Sequence, residues 1–497
     1  MNEHLKIPRS EGVTDAERYL KKLCDRSFLS MWSYTGIFND RGTGQEVCDL
    51  LVVFDNHIII FSDKDCEFPN TGNTELDWKR WYKKAIKKSA DQVYGAERWI
   101  INYPSRLFLD QTCKIPFPID LPSSDRAKIH RIIVAHSASA KCAEILGGSG
   151  SLMINTEVVG DAQPFTIGKF DSSKGYIHVF DDTTLDILLD KLDTISDFVA
   201  YLEKKEIFLT RKTTIISAGE EELLSLHLKD LNKDDEHDFI FKEDINNLTV
   251  LFLNDEGSWI NFSKSSERKA QVEANKISYF WDWLIENFTK HFREGTSYYN
   301  NHEDIKNQEM VLRLLAKENR TRRRFLSNAF WEFVDTINPV LKGSRTIIGE
   351  NDKDPYYIFL VVPETKDAPY EKYREVRRGM LHAHCVITKL NFPNAKDIIG
   401  IATESGRKGD GSEDLVYYDA RIWTDKDKRN AEKLKSDLIR AKLLNPQYRS
   451  EKTEYEYPPL YQPIEIKQTT QLKGKHKNKP CRCGSGKKTK KCCSAIS

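Results

Sequence analysis

The sequence predicts a mixed α/β protein with more than one core, and three observations carry that prediction. Apolar positions recur with helical period from Thr14 to about Met31 and again from Leu76 to about Trp99. Between them lie two runs rich in β-branched residues, Val47 to Phe54 and His57 to Phe61, divided by Asp55-Asn56, which is the turn chemistry of a strand hairpin. A further apolar run, Arg131 to Ala135, reads as another strand, so the order is helix, strand, strand, helix, strand. The chain has 497 residues, which is roughly two to four domains' worth.

Taken in order, Thr14 or Asp15 caps the first helix, and Glu17 rides in its first turns. The link Arg41-Gly-Thr-Gly leads into the hairpin. Beyond Gly147-Gly-Ser-Gly the pattern predicts a strand at Tyr176 to Phe180 and one long helix from Thr184 to Glu206, both in a second domain. Helical patterns follow at Asn275 to Phe292 and Glu309 to Ile337, the latter with a basic step from Arg320 to Arg324. Strands are expected at Tyr356 to Val362, His384 to Leu390 and Ile398 to Thr403, within a third, small α/β unit. Ser450 to Pro480 is polar and rich in Pro and Lys, as a linker is. The expected divisions are 1–150, 151–350, 351–449, a linker over 450–478 and a tail over 479–497.

The 76 Lys plus Arg against 75 Asp plus Glu leave a formal net charge of +1, so overall charge names no partner. Charge distribution says more, since Lys473 to Lys491 is almost purely basic. No apolar run has the length of a membrane span, and Met1-Asn2-Glu3-His4 lacks the build of a signal peptide. The expectation is a cytoplasmic protein with no membrane partner. Cys24, Cys48, Cys66, Cys113, Cys142 and Cys385 are scattered without a framework and read as reduced, structural thiols.

Cys481, Cys483, Cys492 and Cys493 stand in C-R-C-G-S-G-K-K-T-K-K-C-C, two close pairs on a short turn. Four thiolates can hold a tetrahedral zinc ion where no hydrophobic core could form. The segment resembles the SEC-C zinc-binding motif that ends the SecA translocase, from Lys479 and Pro480 through the G-S-G turn to the closing pair. Cys493 takes a place that such tails often fill with histidine. The resemblance implies a structural Zn2+ and a docking role toward a protein or ribosome partner, or toward nucleic acid.

The phrase from Gln45 to Asp65 sets acidic groups at the mouth of one strand and a lysine at the end of the next. Carboxylates so placed suit Mg2+, and a neighbouring lysine can orient an attacking water. Here the chain resembles the PD-(D/E)XK, or restriction-endonuclease-like, nuclease superfamily. Its core is a helix with a glutamate, a strand with an aspartate, a strand with (D/E)-x-K, then a helix. The resemblance implies Glu17 as the helix glutamate, Asp49 as the metal-binding aspartate, Lys64 as the lysine and Gln92 as a polar group from the next helix. Residues two apart on a strand share a face, so Lys64's acidic partner should be residue 62, which is Ser62. A bulge at Ser62 could bring Asp63 inward, or Asp65 or Glu46 could serve instead, Glu46 also in place of Glu17. The implied activity is phosphodiester hydrolysis of DNA or RNA, as in restriction or phage-defence proteins. Without a second metal ligand, the same core would bind nucleic acid or protein and not cut.

Other signals are weaker. The helix after Lys64 bears Lys79, Arg80, Lys83, Lys84, Lys87 and Lys88, a run that suits a phosphate backbone or a solvated face. Arg320 to Arg324 poses the same choice, with the solvated face preferred. His382, His384 and Cys385 lie close enough for a zinc site but read better as core or surface residues. Ser137 and Ser139 beside His136 lack a nucleophile's turn and acid. Trp281 and Trp283 read as core.

Overall fold

The computed structural model describes residues 9–459 apart from 13, 172, 242–243, 246–247, 254–255, 295–304, 339–340, 349–354, 365–368, 406–412, 442 and 445–451. Helix α1 (Asp15–Phe28) begins where the Thr14 hydroxyl accepts the Glu17 N–H, and it buries Leu20, Leu23, Cys24 and Phe28. Strands β1 (Ser33–Asn39), β2 (Gln45–Phe54) and β3 (His57–Lys64) form an antiparallel meander. The β2–β3 turn has Asp55 in the left-handed region (φ 54°), which Asp tolerates well. β1 was not expected, because Ser, Thr, Gly and Asn interrupt its apolar pattern.

Next come α2 (Thr74–Tyr82), a π-helical turn (Lys83–Lys87) and α3 (Lys88–Asn102), where a single helix was expected. Strands β4 (Leu107–Phe108) and β5 (Lys128–Ala135) follow. After α4 (Ser139–Leu146), β6 (Met153–Val159) and β7 (Thr166–Lys169), strand β8 (Ile177–Asp181) returns to the first sheet. That sheet runs β4-β1-β2-β3-β5-β8, with β3, β5 and β8 mutually parallel. The sheet thus includes a strand from beyond residue 150. α3 packs across β2, β3 and β5.

The long helix expected over 184–206 is two helices, α5 (Thr184–Lys191) and α6 (Ile195–Leu209). Thr194 divides them by capping α6 with its side chain. β9 (Thr214–Ser217), α7 (Glu220–Lys229) and β10 (Val250–Leu253) complete a second sheet, β10-β9-β6-β7. A helical layer follows: α8 (Ser258–Lys264), α9 (Ser266–Asn275), α10 (Tyr279–Arg293), α11 (Ile305–Ala316) and α12 (Arg320–Thr336). Asn319 caps α12, so the pattern expected over 309–337 is broken in two.

The third sheet is β11-β12-β13-β14, from β11 (Gly343–Ile347), β12 (Tyr356–Val362), β13 (Asp397–Glu404) and β14 (Asp414–Asp419). Between β12 and β13 runs α13 (Tyr370–Asn391), and α14 (Asp425–Arg440) follows β14. The strand expected at His384 to Leu390 is therefore the last part of α13. β12 and β13 are parallel, so a crossover must join them, and a helix supplies it. One continuous apolar cluster runs from Leu20 through the first sheet and helices α10 to α12 to Leu415. No helix among the described residues is long and apolar enough to cross a membrane.

Candidate metal and nucleic-acid site

β2 and β3 set the site by register. Leu50 pairs with Phe61, so one step on Asp49 stands opposite Ser62. The Asp63 backbone N–H donates to Asp49 Oδ2 at 2.6 Å, and the Ser62 hydroxyl also reaches the Asp49 carboxylate. Ser62, fully buried, donates to Gln92 Oε1 at 3.2 Å, so α3 brings Gln92 to the place the sequence assigned to it. Lys64 closes β3, exposed and two residues beyond Ser62 on the same face.

Glu46 reaches Asp49's neighbourhood through an irregularity. Ile37 pairs with Cys48 but Phe38 pairs with Glu46, which leaves Val47 as an extra residue in β2. Such a bulge shifts the in–out alternation, so Glu46 falls on the side of Asp49. Burial pushes the Asp49 carboxyl up to about 6, with the charges of Asp63 and Glu17 adding to it and the Asp63 N–H opposing it. Glu46, at the exposed strand entry, is also raised, by desolvation and then by Asp49 and Glu17. Among the described residues no cation pairs with Asp49 or Glu46. Three carboxylates thus crowd one place, two of them reluctant to ionise, and oxygen donors of this kind suit Mg2+ or Mn2+.

Asp63 does not turn inward as the proposed bulge at Ser62 would require. β3 is regular against β5 from His57 to Lys64, so alternation sends Asp63 to the opposite face from Ser62. There its carboxylate meets His136 Nε2 at 2.6 Å, while His136 Nδ1 meets Asp182 Oδ1 at 2.7 Å. The two carboxylates outweigh burial and hold His136 up to about 10, so it is an imidazolium at neutral pH that neutralises Asp63. The sequence reading set His136 aside for want of a placed acid and missed Asp182, which with Asp63 supplies one. Their only signal was position just past two parallel strands, visible once Ala135 is known to pair with Asp181.

The basic run forms one surface. From Asp77 to Tyr94 the chain alternates two inward and two outward residues, a four-residue period. A straight α-helix would drift about 40° per such repeat, and the wider π turn takes up the drift. Lys79, Arg80, Lys83, Lys84, Lys87 and Lys88 are therefore all exposed, and none of their side chains forms a hydrogen bond or ion pair with a described residue. Four of them line a groove of about 720 Å³ together with Lys169 and Lys174, and with Asp91, Asp161 and Asp171. Lys84 and Lys64 both bear on the Cys66 thiol, so the stripe reaches the Lys64 end of the site.

Arg320, Arg323 and Arg324 are buried instead. Arg320 pairs with Asp193 and Asp282 at 2.9 and 2.8 Å, Arg323 with Asp282, and Arg324 with Glu454 at 2.7 Å. They tie helices and do not face solvent. His382, His384 and Cys385 lie on a helix, with His384 pushed down to about 4 by burial and Cys385 in the core. Trp281 is wholly buried and donates to the Leu315 carbonyl, whereas Trp283 is half-exposed. The described cysteines form no disulfide. The four tail cysteines, Cys481, Cys483, Cys492 and Cys493, lie outside the described residues. Comparison of the chain with protein-family models, curated proteins and solved structures finds no match.

Proposed function

We propose that this chain is a metal-dependent nuclease-like protein with a restriction-endonuclease-like core and a zinc-binding tail. The observation that carries the reading is the convergence of Asp49, Ser62, Lys64 and Gln92 from β2, β3 and α3, beside a stripe of unpaired cations. The order α1-β1-β2-β3-α2-α3-β4-β5, with β3 and β5 parallel, supports the reading, since it contains the helix, strand, strand, helix, strand order that the resemblance implies. Asp49 and Glu46, with Glu17 nearby, would hold Mg2+ or Mn2+. The bound ion would stabilise charge developing on a phosphodiester. Lys64 orients the attacking water, Gln92 fixes Ser62 and through it Asp49, and the Lys79–Lys88 stripe holds the phosphate backbone. Cys481, Cys483, Cys492 and Cys493 would bind a structural Zn2+ that docks a partner or nucleic acid.

The test is incubation of the full chain with mixed DNA and RNA and Mg2+ or Mn2+. Cutting by the wild type that Asp49→Ala and Lys64→Ala both abolish is the expected result. A specific observation favours a second reading, a non-cutting binding module: Ser62 stands where a carboxylate is expected and His136 engages Asp63. Binding without cutting, unchanged by Asp49→Ala, would establish that reading and overturn the first.

A further inference from the structure

The opposite end of β3 carries a different donor set. His57 begins the strand, His130 lies on the neighbouring β5, and Glu203 projects from α6. His57 Nδ1 and His130 Nε2 are 3.0 Å apart, the two rings are stacked with centroids at 5.3 Å, and all three ligand atoms lie within 4.8 Å of one another. Seven residue steps along β3 separate His57 from Lys64, which is roughly 20–25 Å. The cluster is therefore distinct from the Asp49 site and supplies different chemistry, two imidazoles and one carboxylate in place of carboxylates alone.

We propose that His57, His130 and Glu203 form a zinc site that clamps α6 to the first sheet. Tetrahedral Zn2+ with bonds of about 2.0–2.1 Å sets its ligands roughly 3.3 Å apart, close to the present spacing of the two imidazole nitrogens. The Glu203 carboxylate, within 4.8 Å of both nitrogens, would have to move closer. One of its oxygens already takes a hydrogen bond from Lys128 Nζ at 2.7 Å, and Lys128 is more than half exposed, so it can swing away into solvent. Burial keeps both histidines neutral at physiological pH, the form that ligates, with His130 pushed down to about 3. His130 is only 3% exposed in an Ile-rich sheet, so its partners come from the protein and not from water. Three protein ligands would leave one coordination position. The ligands come from three elements far apart in sequence, so the ion would stabilise the folded state by linking them.

The test uses the full chain in a background carrying Cys481→Ser, Cys483→Ser, Cys492→Ser, Cys493→Ser and Asp49→Ala, so that neither other proposed site can answer for this one. The chelator-stripped protein is titrated with Co2+ and Zn2+. The expected result is one Co2+ bound with ligand-field absorption and no thiolate charge-transfer band, displaced by Zn2+, and a rise in Tm on Zn2+ addition. His57→Ala and Glu203→Gln, each checked for folding by circular dichroism, should weaken Zn2+ binding by at least about tenfold. Lys128→Ala should strengthen it, because it frees Glu203. A background chain that binds no ion would overturn the proposal, as would binding that both His57→Ala and Glu203→Gln leave unchanged. The pair would then be a His–His hydrogen bond beside a surface ion pair.

Discussion

Two basic clusters that look alike in the sequence behave oppositely in the fold. In Lys79 to Lys88 the cations come in adjacent pairs four residues apart, separated by apolar or small residues. That spacing keeps them on one helix face, and all six stay exposed without partners. In Arg320-Thr-Arg-Arg-Arg the cations are nearly contiguous, and consecutive helix residues point some 100° apart. A contiguous run must wrap the helix, so some of it is driven inward and needs acids, which Asp193, Asp282 and Glu454 supply. The spacing of charge, not its density, separates a surface that can take a polyanion from one that ties a core.

The sharpest break of the comparison is Arg320→Ala. It leaves Asp193 buried with the Tyr279 hydroxyl as its remaining side-chain partner, and it is expected to lower stability by about 3–5 kcal/mol in urea denaturation. The same burial logic applies to a carboxylate without a cation. Because Asp49 titrates at about 6 in the fold against an ordinary 3.8, its contribution to stability is full below about pH 4 and lost as pH rises through about 6. Asp49→Asn should therefore be more stable than wild type above pH 6, by at most about 3 kcal/mol, with the gap closing toward pH 4. Mg2+ should raise the wild-type Tm and close the gap at neutral pH.

His136 follows the same direction with pH in a higher window, because there the fold favours the charged form. Held up to about 10, it contributes stability that is full below about pH 6.5 and lost as pH rises through about 10. His136→Gln is expected to cost about 2 kcal/mol at pH 7 and less as pH approaches 10, by denaturation across that range. The smallest effect on stability belongs to the stripe. Lys83→Ala, Lys84→Ala and Lys87→Ala together should change it by less than about 1 kcal/mol, yet lower the salt slope of nucleic-acid binding by about 2–3. A slope that stays unchanged would return the stripe to an ordinary solvated face.

Much of the first sheet was legible because its signals are local. The Asp55-Asn56 turn, the β-branched runs on either side and the Thr14 cap needed no tertiary information. Gln92 was placed near the site only by the resemblance to the nuclease core, and its partner there is Ser62. What could not be read depends on register or on distant chain. The bulge at Val47 that re-aims Glu46 is a pairing irregularity with no composition of its own. The contact between Asp63 and His136 joins residues 73 apart, and Arg320 reaches Asp193 across 127 residues and Asp282 across 38. β8 joined the first sheet from beyond the expected boundary because parallel pairing with β5 is fixed only by the fold. The strand expected at His384 failed for a related reason, since β-branched residues on a crossover helix follow topology over propensity.

In the proposed function Asp49 nucleates a metal site on one face of β3, while Asp63, on the other face, is committed to His136. The most direct test is the Mg2+-dependent cleavage rate of Asp49→Ala beside that of Asp63→Asn, at a temperature where both are folded. The account predicts that Asp49→Ala abolishes cutting and that Asp63→Asn, though less stable, keeps it. Cutting retained by Asp49→Ala and lost in Asp63→Asn would contradict it.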